Sequence, residues 1–176
     1  MEATSGDFNA LLSSIESGML REVAMHWLEV RGTRLMPAWR DLDPVRMAPF
    51  LECVWAWRYD RSTRSFTGRL SGEAVNFLMG QSLRGATPED IYREYSGDML
   101  EGNRRIVDEP CIAHVRGAVF RHQDHVVHGE RLLLPLADDG VNSDGIFGVT
   151  DWDAACLPSA GVSYTVVADA YTFFSL

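Results

Sequence analysis

Residues 52–72 read ECVWAWRYDRSTRSFTGRLSG, and the periodicity of this stretch decides the fold. Across ECVWAWRY the large residues Cys53, Trp55, Trp57 and Tyr59 alternate, which puts them on one face of a strand. The polar stretch DRSTRS then reads as a turn and FTGRLSG as a returning strand, so the pair predicts a β-hairpin. Upstream the period is different. Phe8, Leu11, Leu12, Ile15, Met19, Val23, Trp27 and Val30 fall mainly three or four apart, which predicts one long amphipathic helix from Phe8 to Val30. Ser5 or Asp7 serves as its N-cap, and Gly32 stands just past its end. Between helix and hairpin, RLMPAWRDLDPVRMAPFL holds Pro37, Pro44 and Pro49, which exclude a continuous helix but allow a short one starting at Asp43-Pro44.

Downstream of the hairpin, residues 73–109 predict helices in short pieces. EAVNFLMG is the first, TPEDIYREY the second with Thr87 as N-cap and Pro88 at the first helical position, and a longer run reaches Val107. Three more strands follow in CIAHVRGAVF, VVHGERLLLPLA and GIFGVTDW, with VSYTVVADAYTFF as an extra one near the end. The order is helix, two strands, short helices, three strands, an α+β chain without internal repeats. Residues 1–32 form the N-terminal helix and residues 33–176 the body of the domain.

A chain of 176 residues, 46% hydrophobic and 10% aromatic, suits one globular domain with a sizeable core. Cys53, Cys111 and Cys156 are widely spaced with no CxxC pair, so they read as buried small hydrophobes and not as a disulfide framework. The first residues show no basic region followed by an unbroken apolar run, which predicts a cytoplasmic protein without a membrane span. The formal net charge of −9 argues against non-specific nucleic-acid binding. All 16 basic residues are arginine, which removes Schiff-base lysine chemistry and the P-loop lysine. GxSxG, HExxH and GxGxxG are missing as well, so the sequence predicts no enzyme.

Three segments carry a resemblance: HWLEVRGTRLMPAWRDLDP, FTGRLSGEAV and GERLLLPLADD. In order and spacing, over roughly residues 20–150, they are similar to a family of short bacterial PAS-like proteins. One position departs from the pattern. Trp39 stands two residues after Pro37, where the family has arginine, and Arg40 follows one place late. The resemblance implies a PAS-like five-stranded antiparallel sheet with short helices on one face. It also implies a stand-alone sensory or regulatory module in signal transduction, working by protein–protein interaction and small-ligand binding. The cofactor-bearing variants of that fold are disfavoured here. A photoreactive flavin site needs an asparagine-cysteine motif, and none of the three cysteines has that setting. A haem site needs a proximal histidine on the helical stretch, and residues 73–109 contain none. No cofactor is predicted.

Candidate sites come from polar residues on apolar faces. His122, His125 and His128 recur every third residue, which suggests a metal site in a small metal-dependent protein or enzyme. On a hairpin that spacing scatters them, with His122 and His125 in the turn RHQDH. His128 shares a strand face with Glu130, Leu132 and Leu134. An inward His128–Glu130 pair needs a partner. Two readings stand: a buried His–Glu or Arg–Glu bridge, with Arg69 or Arg116 from neighbouring strands supplying the charge, or a pocket for a small polar ligand formed by His128, Glu130, Arg69 and Trp57. The stripe Trp55, Trp57 and Tyr59 reads as core or interface packing before a cofactor cage. Cys111 and His114 lie three apart on a strand and point to opposite faces, so the thiol is not activated. Finally, the helix stripe Phe8, Leu11, Ile15, Met19 and Val23 must be covered by the chain's own sheet or by a second subunit, and a homodimer interface is the expectation.

Overall fold

The computed structural model describes residues 5–153 and 161–176. The N-terminal stripe forms two helices, α1 (Ser5–Ser14) and α2 (Gly18–Arg31), where one was expected. The break follows from competing hydrogen bonds: the Glu130 carboxylate accepts the backbone N–H groups of Glu16 and Ser17. Ser17 then caps α2, its hydroxyl oxygen accepting from the Leu20 N–H at 3.2 Å. The interruption also shifts the helix phase. After Ile15 it is Leu20, Val23, Ala24 and Trp27 that are buried, while Met19 is half-exposed. Gly32 ends α2 with φ +59°, a conformation that favours glycine.

After the prolines, α3 (Pro44–Met47) begins as expected, the Asp43 side chain accepting from the Val45 N–H. The hairpin is β1 (Val54–Asp60) and β2 (Ser65–Ser71). Three helices follow: α4 (Glu73–Met79), α5 (Pro88–Tyr92) with Thr87 and Asp90 in a reciprocal capping box, and α6 (Ser96–Asp108). The remaining strands are β3 (Cys111–His122), β4 (His125–Leu136), β5 (Gly145–Trp152), β6 (Thr165–Val166) and β7 (Tyr171–Ser175). All pairings are antiparallel, in the order β2-β1-β5-β4-β3. This is a PAS-like sheet extended beyond β3. The single extra strand expected at the end is two short ones, β7 on Cys111–Val115 and β6 on Phe120–Arg121. Between them β3 bulges, Gly117 takes φ +118°, and Asp169 accepts from the Ala118 N–H at 2.9 Å.

Both faces of the sheet are buried. On the inner face Trp55, Trp57, Tyr59, Val115, Phe120, Leu133 and Ile146 pack with α4, α5 and α6. Trp55 lies flat over Gly148, where a Cβ would stand 2.3 Å from its ring. On the outer face Ile112, Leu132, Leu134, Phe147 and Val149 pack against α1 and α2. Trp27 is fully buried there, donates its indole N–H to the Pro135 carbonyl at 3.0 Å and stacks on Phe8. The expected dimer stripe is therefore corrected. Phe8, Leu11, Ile15 and Val23 are buried within their own chain against the outer face of the sheet, whose apolar residues need the same cover. Among the described residues no helix is long and apolar enough to cross a membrane.

Trp27→Ala is expected to lower the unfolding free energy by about 3–5 kcal/mol, the cost of deleting a large buried aromatic. Met19→Ala, on the rim of the same helix, is expected to cost under about 1 kcal/mol. Urea unfolding measures both, and equal small losses would mean that α1 and α2 do not pack on the sheet.

Candidate functional site

Arg131 follows Glu130 on β4, and strand alternation sends the two side chains to opposite faces. Arg131 enters the inner core at 1% exposure. Its Nε donates to Thr150 Oγ1 at 3.1 Å, one terminal nitrogen to the Val167 carbonyl at 2.8 Å and the other to the Val119 carbonyl at 2.7 Å. The guanidinium also stands over the Phe120 ring, 5.5 Å from its centroid. Burial pushes its proton affinity down from the ordinary guanidinium range.

A second polar cluster adjoins it. Trp57 Nε1 and Asn103 Nδ2 each donate to Tyr92 Oη at 3.0 Å, and Trp55 Nε1 donates to Thr150 Oγ1 at the same distance. Burial raises the Tyr92 phenol above its usual range, so it stays protonated. Trp55, Trp57, Tyr92, Arg131 and Thr150 line one cavity whose remaining walls are apolar, among them Met79, Leu83 and Met99. Its volume is about 20 Å³, room for roughly one water.

The outer face carries a different arrangement. Glu130, 7% exposed, holds the α1–α2 turn through Glu16 and Ser17, and its Oε1 lies 3.5 Å from His114 Nε2. Ser17 Oγ donates to Asp151 at 2.6 Å, and Ser14 Oγ lies 3.3 Å from His114 Nδ1. Glu130 is buried, but its bonds go to the α1–α2 turn and its side-chain neighbour is His114, with neither Arg69, Arg116 nor His128 bridging to it. Arg116 pairs with Glu16. Arg69 stands over the Trp39 ring, 4.0 Å from its centroid. Desolvation and the nearby Arg116 lower the proton affinity of His114, against the opposing pull of Glu130.

The four expected ligand-site residues do not converge. Trp57 faces the inner cavity and Glu130 the outer layer, with Arg69 stacked on Trp39. His128 shares an open groove with Glu130 but is exposed, not inward. The reason is coverage: the α1–α2 turn sits over Glu130, and its helices run toward Leu132 and Leu134, leaving His128 outside. His122 and His125 are cross-strand partners that flank Tyr164 rather than free turn residues. His122 Nδ1 bonds the Ser163 carbonyl, and the Tyr164 hydroxyl bonds His125 Nδ1. Among the described residues no three metal-binding side chains converge. Cys111 lies on the inner face and His114 on the outer, and burial pushes the thiols of Cys111 and Cys53 up to about 11. Cys53 is half-buried, and Cys156 lies outside the described residues.

Sequence reasoning missed Arg131, Thr150, Tyr92, Asn103 and His114. A usable signal existed for Arg131, an arginine inside the run ERLLLPL on a strand whose two faces are both covered. The signal for His114 is its parity, which places it across from Leu132 on the outer face.

A family model described as PAS domain matches residues 15–151. No curated protein sequence matches the chain significantly. Among solved structures, a Vibrio cholerae VqmA dimer, described as a LuxR-type receptor and in the absence of its target DNA, is 12% identical. The match covers 64% of this chain and 52% of that one with a TM-score of 0.47. VqmA bound to DPO is 11% identical over 64% and 58%, TM-score 0.47. An RNA-binding light-oxygen-voltage receptor is 12% identical over 61% and 31%, TM-score 0.41. This chain thus spans only part of the length of the structures it matches.

Two buried histidines set the pH response. His26 Nε2 accepts the Asp43 N–H at 3.0 Å, which requires a neutral ring, and desolvation followed by Arg46 lowers its proton affinity. His26 and His114 therefore both bind protons more weakly folded than unfolded. Their stabilisation is full above the ordinary histidine value of about 6.5 and is lost as pH falls through their lower folded values. Urea unfolding between pH 7.5 and 5 is expected to show stability falling on acidification, with a slope of up to about 1.4 kcal/mol per pH unit for each histidine. His26→Gln, which keeps an acceptor for Asp43, is expected to flatten that slope.

Proposed function

The chain belongs to the PAS domain family, and on that premise we propose that it acts as a regulatory module that binds a small ligand in its interior and signals through protein–protein contact. The observation that carries the ligand is the polar cluster of Trp57, Tyr92, Thr150 and Arg131, buried between the sheet and the helices α4–α6. Apolar cores do not need such a cluster, and its desolvation is costly unless it is used. The ligand reading thereby moves from the outer-face group of His128, Glu130 and Arg69 to the inner one, with Trp57 as the shared member.

Catalysis is not part of the reading. The thiol of Cys111 has its proton held tightly, and the sheet separates it from His114. Contact with a partner, a second copy of the chain included, has to use surface other than the N-terminal stripe, since that surface is covered. The shared outer-face layer gives the partner something to read, because the α1–α2 turn is bonded directly to β4 at Glu130.

Native mass spectrometry of the protein taken from its source cell tests the reading. The expected spectrum shows an assembly, either a homodimer or a complex with a second protein, carrying a small-molecule adduct. A bare monomer, with no adduct and no partner, argues against it.

A further inference from the structure

Arg131 brings a full positive charge into the centre of the chain, and its three acceptors are neutral: a threonine hydroxyl and two backbone carbonyls. Among the described residues no carboxylate pairs with it. A guanidinium has five N–H donors, so two are left after those three bonds. A buried charge without a counter-charge is expensive.

The neighbouring groups tilt the same way. Thr150 Oγ1 already accepts from Trp55 and Arg131, and Tyr92 Oη accepts from Trp57 and Asn103. Among the described residues neither hydroxyl proton has an acceptor. Asn103 Oδ1 is buried without a partner. Turning that amide would let it take the Tyr92 proton but would strand its NH₂ group instead. Donors exceed acceptors in either orientation, and the charge is positive in both.

We propose that the inner cavity is a site for a single anionic group, held by the Arg131 guanidinium together with the hydroxyls of Thr150 and Tyr92. This rests on the interior-ligand reading above and adds the ligand's charge to it. The group is either a free small inorganic anion or the carboxylate head of a small organic acid. The cavity of about 20 Å³ holds a single-atom anion about the size of a water as it stands, and a carboxylate head needs its walls to give. A short tail would lie toward Met79 and Met99, unbranched side chains that repack readily. A neutral ligand would leave the charge uncompensated.

The test is thermal unfolding of the full chain, dialysed into sodium gluconate, as sodium chloride, formate or acetate replaces gluconate at constant ionic strength. Gluconate serves as the reference because the apolar walls exclude its hydrated tail. The midpoint is expected to rise and saturate, and Tyr92→Phe or Thr150→Val to raise the half-saturating concentration at least about tenfold, as for a lost hydrogen bond to a charged group. Arg131→Met is expected to abolish saturation, and if it does not fold, the two hydroxyl variants decide alone. Saturation by chloride identifies a free inorganic anion, and saturation by formate or acetate only identifies an acid's head. An anion retained in the native mass spectrum also supports the proposal. Absence of a saturable anion effect, or one unchanged in both hydroxyl variants, overturns it and leaves Arg131 as a staple between strands. A neutral adduct without an anion response overturns the anionic site while leaving the interior-ligand reading intact.

Discussion

Everything in this fold hangs on β4, where Glu130 and Arg131 stand side by side and strand alternation buries one charge on each face of the sheet. Neither charge is tolerable alone in an apolar layer, so each organises what surrounds it. Glu130 takes the N–H groups at the α1–α2 turn and the imidazole of His114, which sets where the N-terminal helix must break. Arg131 takes the carbonyls of Val119 and Val167 and the hydroxyl of Thr150, which ties β4 to β3, to β5 and to the segment after β6.

The two layers differ in kind. The outer one is a cover: two helices press apolar residues onto Ile112, Leu132, Leu134 and Val149, with Trp27 filling the space between α2 and Pro135. The inner one combines aromatic walls with a donor-rich polar cluster and little free volume. The groups that engage the two layers are consecutive residues of one strand. β4 is therefore the element shared by the interior cluster and the N-terminal helices.

Much of the layout is legible in the sequence. The change of period at residue 52 identified the hairpin, Thr87-Pro88 and Asp43-Pro44 marked helix starts through local capping chemistry, and the aromatic alternation of Trp55, Trp57 and Tyr59 identified the inner face. These signals are local, and tertiary context did not override them. The site was harder. His128 and Glu130 share parity and were expected to share a fate, but burial on the outer face ends where the α1–α2 turn crosses β4. Which of two like positions lies under that turn is a long-range fact. The same limit hid the His114–Glu130 contact, which joins two strands, and the break at Ser17, which an uninterrupted helical pattern does not announce.

The sequence by itself determined the order and type of the elements, because periodicity, caps and prolines act over a few residues. It also determined that Glu130 and Arg131 point to opposite faces of their strand, since side chains alternate through GERLLLPL. Only the tertiary structure decided what meets them. A carboxylate finds two backbone N–H groups and a histidine, while a guanidinium finds neutral acceptors around a small cavity, because those partners come from segments 12 to 114 residues away and are placed by sheet register and helix packing.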